Sequence, residues 1–182
     1  MKKLIILLLF GVLCSNVFGQ EKSAKVIVSD TLPNNCFYFE FGGSSLFFGS
    51  INYERIIFHE DYFYLSGRIG FGVGYMPGLY SLLSSPIIVS GIFHVYKRLY
   101  GEIGFGTTLI HNESQNQITG KYQSCFWGTI AGVAGLRLKS PKGFVFRATF
   151  SPLYSINNDL APDQNFKFIP WFGVSLGGCF GK

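Results

Sequence analysis

The sequence predicts an all-β fold, an eight-stranded antiparallel up-and-down transmembrane β-barrel. Three observations predict it. Eight segments alternate apolar with polar residues, one face of those segments is almost free of charge, and the connections are short and longer in turn. Strand side chains point to opposite faces alternately, so a period of two marks strands lying between two environments.

The first residues are of another kind. Lys2 and Lys3 precede the apolar run Leu4 to Leu13, and Val17-Phe18-Gly19 closes a small and polar stretch. This is the pattern of a signal peptide, residues 1–19, cleaved after Gly19. The run is shorter than the roughly 20 residues a membrane-spanning helix needs. A buried helix would need helical partners, and no other segment has a helical stripe. Cys14 follows Leu13 where lipidation signals carry Gly, Ala or Ser, which argues against a lipoprotein. Residues 20–34 form a polar spacer, and residues 35–182 the barrel.

The strands read as 36–43, 46–58, 62–75, 86–96, 99–110, 124–138, 143–154 and 169–180. Each is close to, or slightly beyond, the roughly 9–11 residues of a tilted transmembrane strand. In 46–58, Phe47, Ile51, Tyr53 and Ile57 oppose Ser50, Asn52 and Glu54. In 62–75, Phe63, Leu65, Ile69, Phe71, Val73 and Tyr75 oppose Tyr62, Tyr64, Ser66 and Arg68. Leu99, Ile103, Phe105 and Leu109 oppose Tyr100, Glu102 and Thr108, and the last strand sets Phe172, Val174, Leu176 and Phe180 against Trp171 and Ser175. Arg55 is the one charge on the apolar face, near its strand's end. The other face carries Glu40, Glu54, Arg68, Glu102, Arg137 and Arg147. A soluble barrel would invert this, with charge outside. An exterior this apolar is far larger than the patches soluble monomers carry, so lipid is its solvent.

Residues 59–61, the Lys97-Arg98 corner and 139–142 are short turns, while 76–85, 111–123 and 155–168 are longer. Short periplasmic turns and longer external loops characterise outer-membrane barrels, and an even strand count puts both termini in the periplasm. The connection around Gly43 to Ser45 is the one unusually tight external turn. Composition agrees: aromatics make up 18% and charged residues 14%, with 23 glycines. Removing Lys2 and Lys3 lowers the formal charge from +5 to +3, too mild a balance for a nucleic-acid partner.

Several stretches resemble the small outer-membrane β-barrel proteins of the OmpA/OmpX type, particularly a largely uncharacterised group among them. They include Phe39-Glu40-Phe41-Gly42-Gly43, Asn52-Tyr53-Glu54-Arg55, Ser85-Pro86-Ile87, Gly101-Glu102-Ile103-Gly104-Phe105-Gly106 and Gly135-Leu136-Arg137. Phe150-Ser151-Pro152-Leu153 and the run Pro170 to Gly177 continue the series. The final strand is similar to the assembly signal of such barrels, ending in Phe180 but followed by Gly181 and Lys182. The resemblance implies an outer-membrane address, lipid as solvent and a barrel-assembly machinery as the partner in biogenesis.

The six inward charges, all expected in the periplasmic half, offer a gate or proton path. The simpler reading is a charge-balanced network filling the lumen, since eight-stranded barrels have room inside for little but side chains. Tyr62, Tyr64, Tyr96, Tyr100, Trp127 and Trp171 are expected to fill the rest. His111, Glu113 and Ser114 are the residue types of nucleophilic catalysis, but they fall in a polar loop that would not hold them in hydrogen-bond reach. His94 reads as a network member and His59 as a turn residue; neither they nor the scattered cysteines form a metal site. The Gly-x-Gly runs at Gly70–Gly74 and Gly104–Gly106 lack the following helix of a nucleotide fingerprint. No cofactor is expected. Cys36 opens the first strand and Cys179 closes the last, so barrel closure makes them neighbours. A disulfide is open to them, although two buried thiols is the reading the sequence favours. The functional reading is a structural or surface-interaction barrel with no identified partner. A narrow pore for ions or small solutes is the alternative and an outer-membrane enzyme the third.

Overall fold

The computed structural model describes residues 33–45, 49–60, 62–76, 79–115, 122–156 and 168–181. The expected signal peptide and nearly all of the 20–34 spacer lie outside the described residues. Eight strands close into one barrel in sequence order: β1 (Asn35–Gly42), β2 (Gly49–Glu60), β3 (Phe63–Met76), β4 (Leu79–Tyr96), β5 (Leu99–Gln115), β6 (Tyr122–Lys139), β7 (Phe144–Ser155) and β8 (Phe168–Phe180). Every neighbouring pair is antiparallel, and β1 pairs with β8 to complete the ring. Closure satisfies the backbone polar groups within the wall and leaves no free edge along the ladder, as a lipid environment demands.

The strands tilt. One row of paired residues runs Cys36, Glu54, Arg68, Ile88, Gly106, Ala131, Leu153, Ile169 around the wall. It starts at the mouth that carries the termini and finishes near the opposite one. That climb is the stagger a closed barrel requires. Alternation then sorts the side chains. Ile51, Ile69, Phe71, Ile103, Phe105, Phe172 and Leu176 are exposed on the wall, while Ser50, Asn52, Ser66, Thr108 and Ser175 are buried within.

The expected strands exist, with three physical differences. First, β4 begins at Leu79 and β5 runs on to Gln115, so the expected long loops at 76–85 and 111–123 are largely ladder. The expected strand opens at Pro86, and a proline cannot donate to a ladder. Here it lies inside β4 opposite Thr108, and the Ser85 hydroxyl donates to the Gly70 carbonyl at 3.0 Å, replacing the missing N–H. Second, β2 contains a bulge between Ile56 and Phe58. The extra residue turns both Ile57 and Phe58 outward, where strict alternation would send Phe58 inward. Third, Tyr62 and Tyr96 do not fill the lumen. Tyr62 sits in the turn before β3 and is 66% exposed, and Tyr96 follows a register shift and is 62% exposed. Tyr64 and Tyr100 are buried as expected, and Trp171 packs on the apolar interior.

Candidate functional site in the lumen

Glu40, Glu54, Arg68, Glu102, Arg137 and Arg147 come from six different strands, and all six are 0–3% exposed inside the barrel. They form a chain of contacts across the lumen. Arg137 Nη2 donates to both Glu54 oxygens at 2.9 Å and to Glu102 Oε2 at 3.0 Å. Arg147 grips the same Glu102 with two bonds, Nη2 to Oε1 at 2.7 Å and Nε to Oε2 at 3.0 Å. Arg137 and Arg147 face each other directly across the β6–β7 ladder, and Glu102 accepts from both. Like charges opposed in a sheet repel, so the shared carboxylate is what makes this pairing tolerable.

The second arm centres on Arg68, whose Nη1 lies 3.3 Å from Glu40 Oε1 and 3.3 Å from the Tyr38 hydroxyl. The Tyr38 ring also carries the Arg147 guanidinium 4.6 Å from its centroid, so one buried tyrosine joins the two arms. The sequence reading missed Tyr38, although its place between Cys36 and Glu40 in the alternation marks it as inward. Five of the six charges lie toward the mouth with the termini. Glu40 stands further in, near the end of β1.

The turn after β1 is the larger surprise. Gly43–Ser45 forms a 3₁₀ turn that folds into the lumen rather than over the rim, and Ser44 and Ser45 are fully buried. Arg68 Nη2 donates to Ser44 Oγ at 2.8 Å, and the Thr108 hydroxyl donates to the Ser44 carbonyl at 2.6 Å from across the barrel. Ser45 bonds Ser50 at 2.7 Å. Two glycines make the inward fold available: Gly42 at φ 69° and Gly43 at φ 66° occupy the left-handed region. A Cβ on Gly43 would collide with the Glu40 carboxylate, and one on Gly42 with the Phe172 carbonyl. The Gly-Gly-Ser-Ser run was the available signal.

Beyond this turn, toward the other mouth, the interior carries no charge among the described residues and mixes apolar side chains with the buried hydroxyls of Ser84, Thr108, Thr129 and Ser151. Leu82, Ile88, Ile110, Ala131, Val133 and Leu153 form one buried cluster, with Ile169 and Trp171 against it. At the termini end Tyr64, Ile92 and Tyr100 form a smaller one. Lys139, expected in a turn, is buried there at the end of β6. His94 is not part of the charge network. Its Nε2 lies 2.8 Å from the Lys97 carbonyl and its ring meets Tyr100 edge-on, so it secures the turn.

The remaining candidates resolve simply. His111, Glu113 and Ser114 are residues of β5 and not of a polar loop, because the β5–β6 ladder continues through Gln115 and Tyr122. Among the described residues no His, Cys, Asp and Glu group could hold a metal. Cys36 and Cys179 are register partners across the closing seam, and their sulfurs are bonded, against the sequence's preference for two thiols. Antiparallel pairing had already put the two Cβ atoms within disulfide reach.

A closed eight-stranded antiparallel ladder with an apolar exterior and a charge network buried in its interior is the fold of a small transmembrane β-barrel. Among solved structures the chain is similar to Ail, the attachment invasion locus protein of Yersinia pestis, with a TM-score of 0.50 and 11% identity, covering 80% of this chain and 95% of that one. A second structure of Ail, in complex with the heparin analogue sucrose octasulfate, gives 0.52 and 11% over 80% and 96%. The backbone structure of this Yersinia pestis outer membrane protein in a phospholipid bilayer nanodisc gives 0.48 and 14% over 81% and 99%. The likeness is one of fold. No protein-family model matches the chain, and no curated protein is similar to it.

Proposed function

We propose that this chain is an outer-membrane barrel with a structural or surface-interaction role, both termini in the periplasm and a lumen closed by its own side chains. The observation that carries the surface role is the unequal height of the wall. β4, β5 and β6 have 18, 17 and 18 residues, whereas β1 has 8. A tilted strand crosses the hydrocarbon in about 9–11 residues. The excess lies on the side away from the termini, where β5 ends in the polar run His111-Asn112-Glu113-Ser114-Gln115. On this reading the raised hairpins are the contact surface, and lipid and the assembly machinery are the other partners.

The lumen supports closure on two levels, the charge network and the inward turn above it. A steady ionic current would have to pass both. The purified protein should show no stepwise conductance in planar bilayers. Reproducible open channels would instead favour the narrow pore, for which the buried Glu40 Oε2, Arg68 Nε and Arg147 Nη1 atoms without a protein partner are the supporting observation. Topology is checked separately. Cysteine labels within 111–123 should react on intact cells, and labels within 139–142 only after the membrane is opened.

A further inference from the structure

The outer wall has a cleft that the lumen plays no part in. It is a shallow, open groove of about 440 Å³ on the β7–β8 ladder beside the turn 140–143, lined among others by Lys142, Phe144, Leu176 and Gly178. Gly178 forms its floor. Its ladder partners are Phe37 on β1 and Phe144 on β7, both half-exposed on the lipid side. A Cβ at Gly178 would meet nothing within 4 Å. Gly178 thus leaves a gap one residue wide between Phe144 and Phe37, and Phe180, two residues further along β8 and stacked 5.9 Å from Phe37, bounds it at the end nearer the C-terminus. Leu176 lies at the end toward the membrane interior. At the other end stands the exposed Lys142, on a turn fixed by the Cys179 N–H donating to the Gly143 carbonyl at 2.7 Å.

We propose that this slot binds one anionic phospholipid, an acyl chain lying over Gly178 and the headgroup phosphate at Lys142. Its sides are apolar where hydrocarbon would lie, and an open groove of this kind suits a chain that keeps its other side in the bilayer. The cation stands where the phosphate of that same lipid would be. A bidentate or bridging contact is not needed, because Lys binds phosphate as a point charge. One lysine at a membrane surface favours an anionic lipid by about fivefold. Lys97 and Arg98, exposed on the neighbouring short turn, add to the same sign. A phospholipid is the occupant, not a lipopolysaccharide, because the slot opens at the mouth with the termini. That choice of leaflet rests on the periplasmic-termini reading above.

The test is native mass spectrometry of the full mature chain, purified in detergent with equal amounts of phosphatidylglycerol and phosphatidylethanolamine. Wild type should retain one phospholipid, with phosphatidylglycerol preferred about fivefold. Gly178→Leu fills the slot and should lose retention, while Lys142→Gln should keep retention and lose the preference. Heat-shifted gel mobility reports whether each variant folds. If Gly178→Leu does not, Gly178→Ala should fold and show reduced retention. Equal retention by wild type and the folded Gly178 variant, or no headgroup preference in wild type, would overturn the site. Labelling of Lys142→Cys on intact cells would overturn the choice of leaflet together with the proposed topology, whatever the retention data show.

Discussion

Toward the termini the lumen holds Glu54, Glu102, Arg137 and Arg147, each contact between named atoms at 2.7–3.0 Å. Toward the opposite mouth Leu82, Ile110, Ala131 and Leu153 form a cluster that touches without direction, set among the uncharged hydroxyls of Ser84, Thr129 and Ser151. The two halves are packed by different physics. The charged half depends on particular partners, because a guanidinium deprived of its carboxylate stays buried and uncompensated. The apolar half depends on volume, and volume can be supplied by more than one side chain. The inward turn at Ser44 stands between them and belongs to both, bonded to Arg68 below and to Thr108 at the level of the hydroxyls above.

The largest effect should come from the charged half. Arg147→Met keeps length and apolar volume yet leaves Glu102 short of two bonds, and should cost about 3–5 kcal/mol in urea unfolding from lipid vesicles. Adding Glu102→Gln should recover part of that loss. A silent Arg147→Met would show that the network is solvated and that the two halves do not differ. The seam should come next. Replacing Cys36 and Cys179 by serine should cost about 2–4 kcal/mol, since the bond spans a sequence separation of 143 residues. Alkylation of the unfolded, unreduced wild type should modify Cys125 alone among the three cysteines after Gly19, and three labels would rule the bond out. The smallest effect should be in the apolar half, where Ile110→Leu should cost under about 1.5 kcal/mol. A loss as large as that of Arg147→Met would erase the comparison.

The strand pattern was legible because a wall between lipid and a polar interior imposes the same period on every segment. Even the six charges could be placed by alternation alone, since each sits at an inward position of a regular stretch. What alternation cannot show is where it is interrupted. The bulge at Ile57 and the register shift before Tyr96 each move a side chain to the other face with no local signal. Pro86 is the converse case: a residue that ordinarily interrupts a ladder lies within β4, where the Ser85 hydroxyl donates to the Gly70 carbonyl. Ser44 was out of reach because its partners, Arg68 and Thr108, are 24 and 64 residues away. The cysteines show the boundary most clearly. Strand counting made them neighbours, whereas whether neighbours bond depends on Cβ geometry that a linear pattern does not contain.

The seam bond also changes the topology of the chain. With Cys36 joined to Cys179, the polypeptide between them becomes a covalent hoop around the barrel's full circumference. Once the hoop is fastened, β1 cannot part from β8 at that mouth to admit another strand, exchange with a second copy or release its contents sideways. Any step in which the wall opens along this seam must therefore come earlier than oxidation. The bond records completed closure in a form that a reducing agent can read.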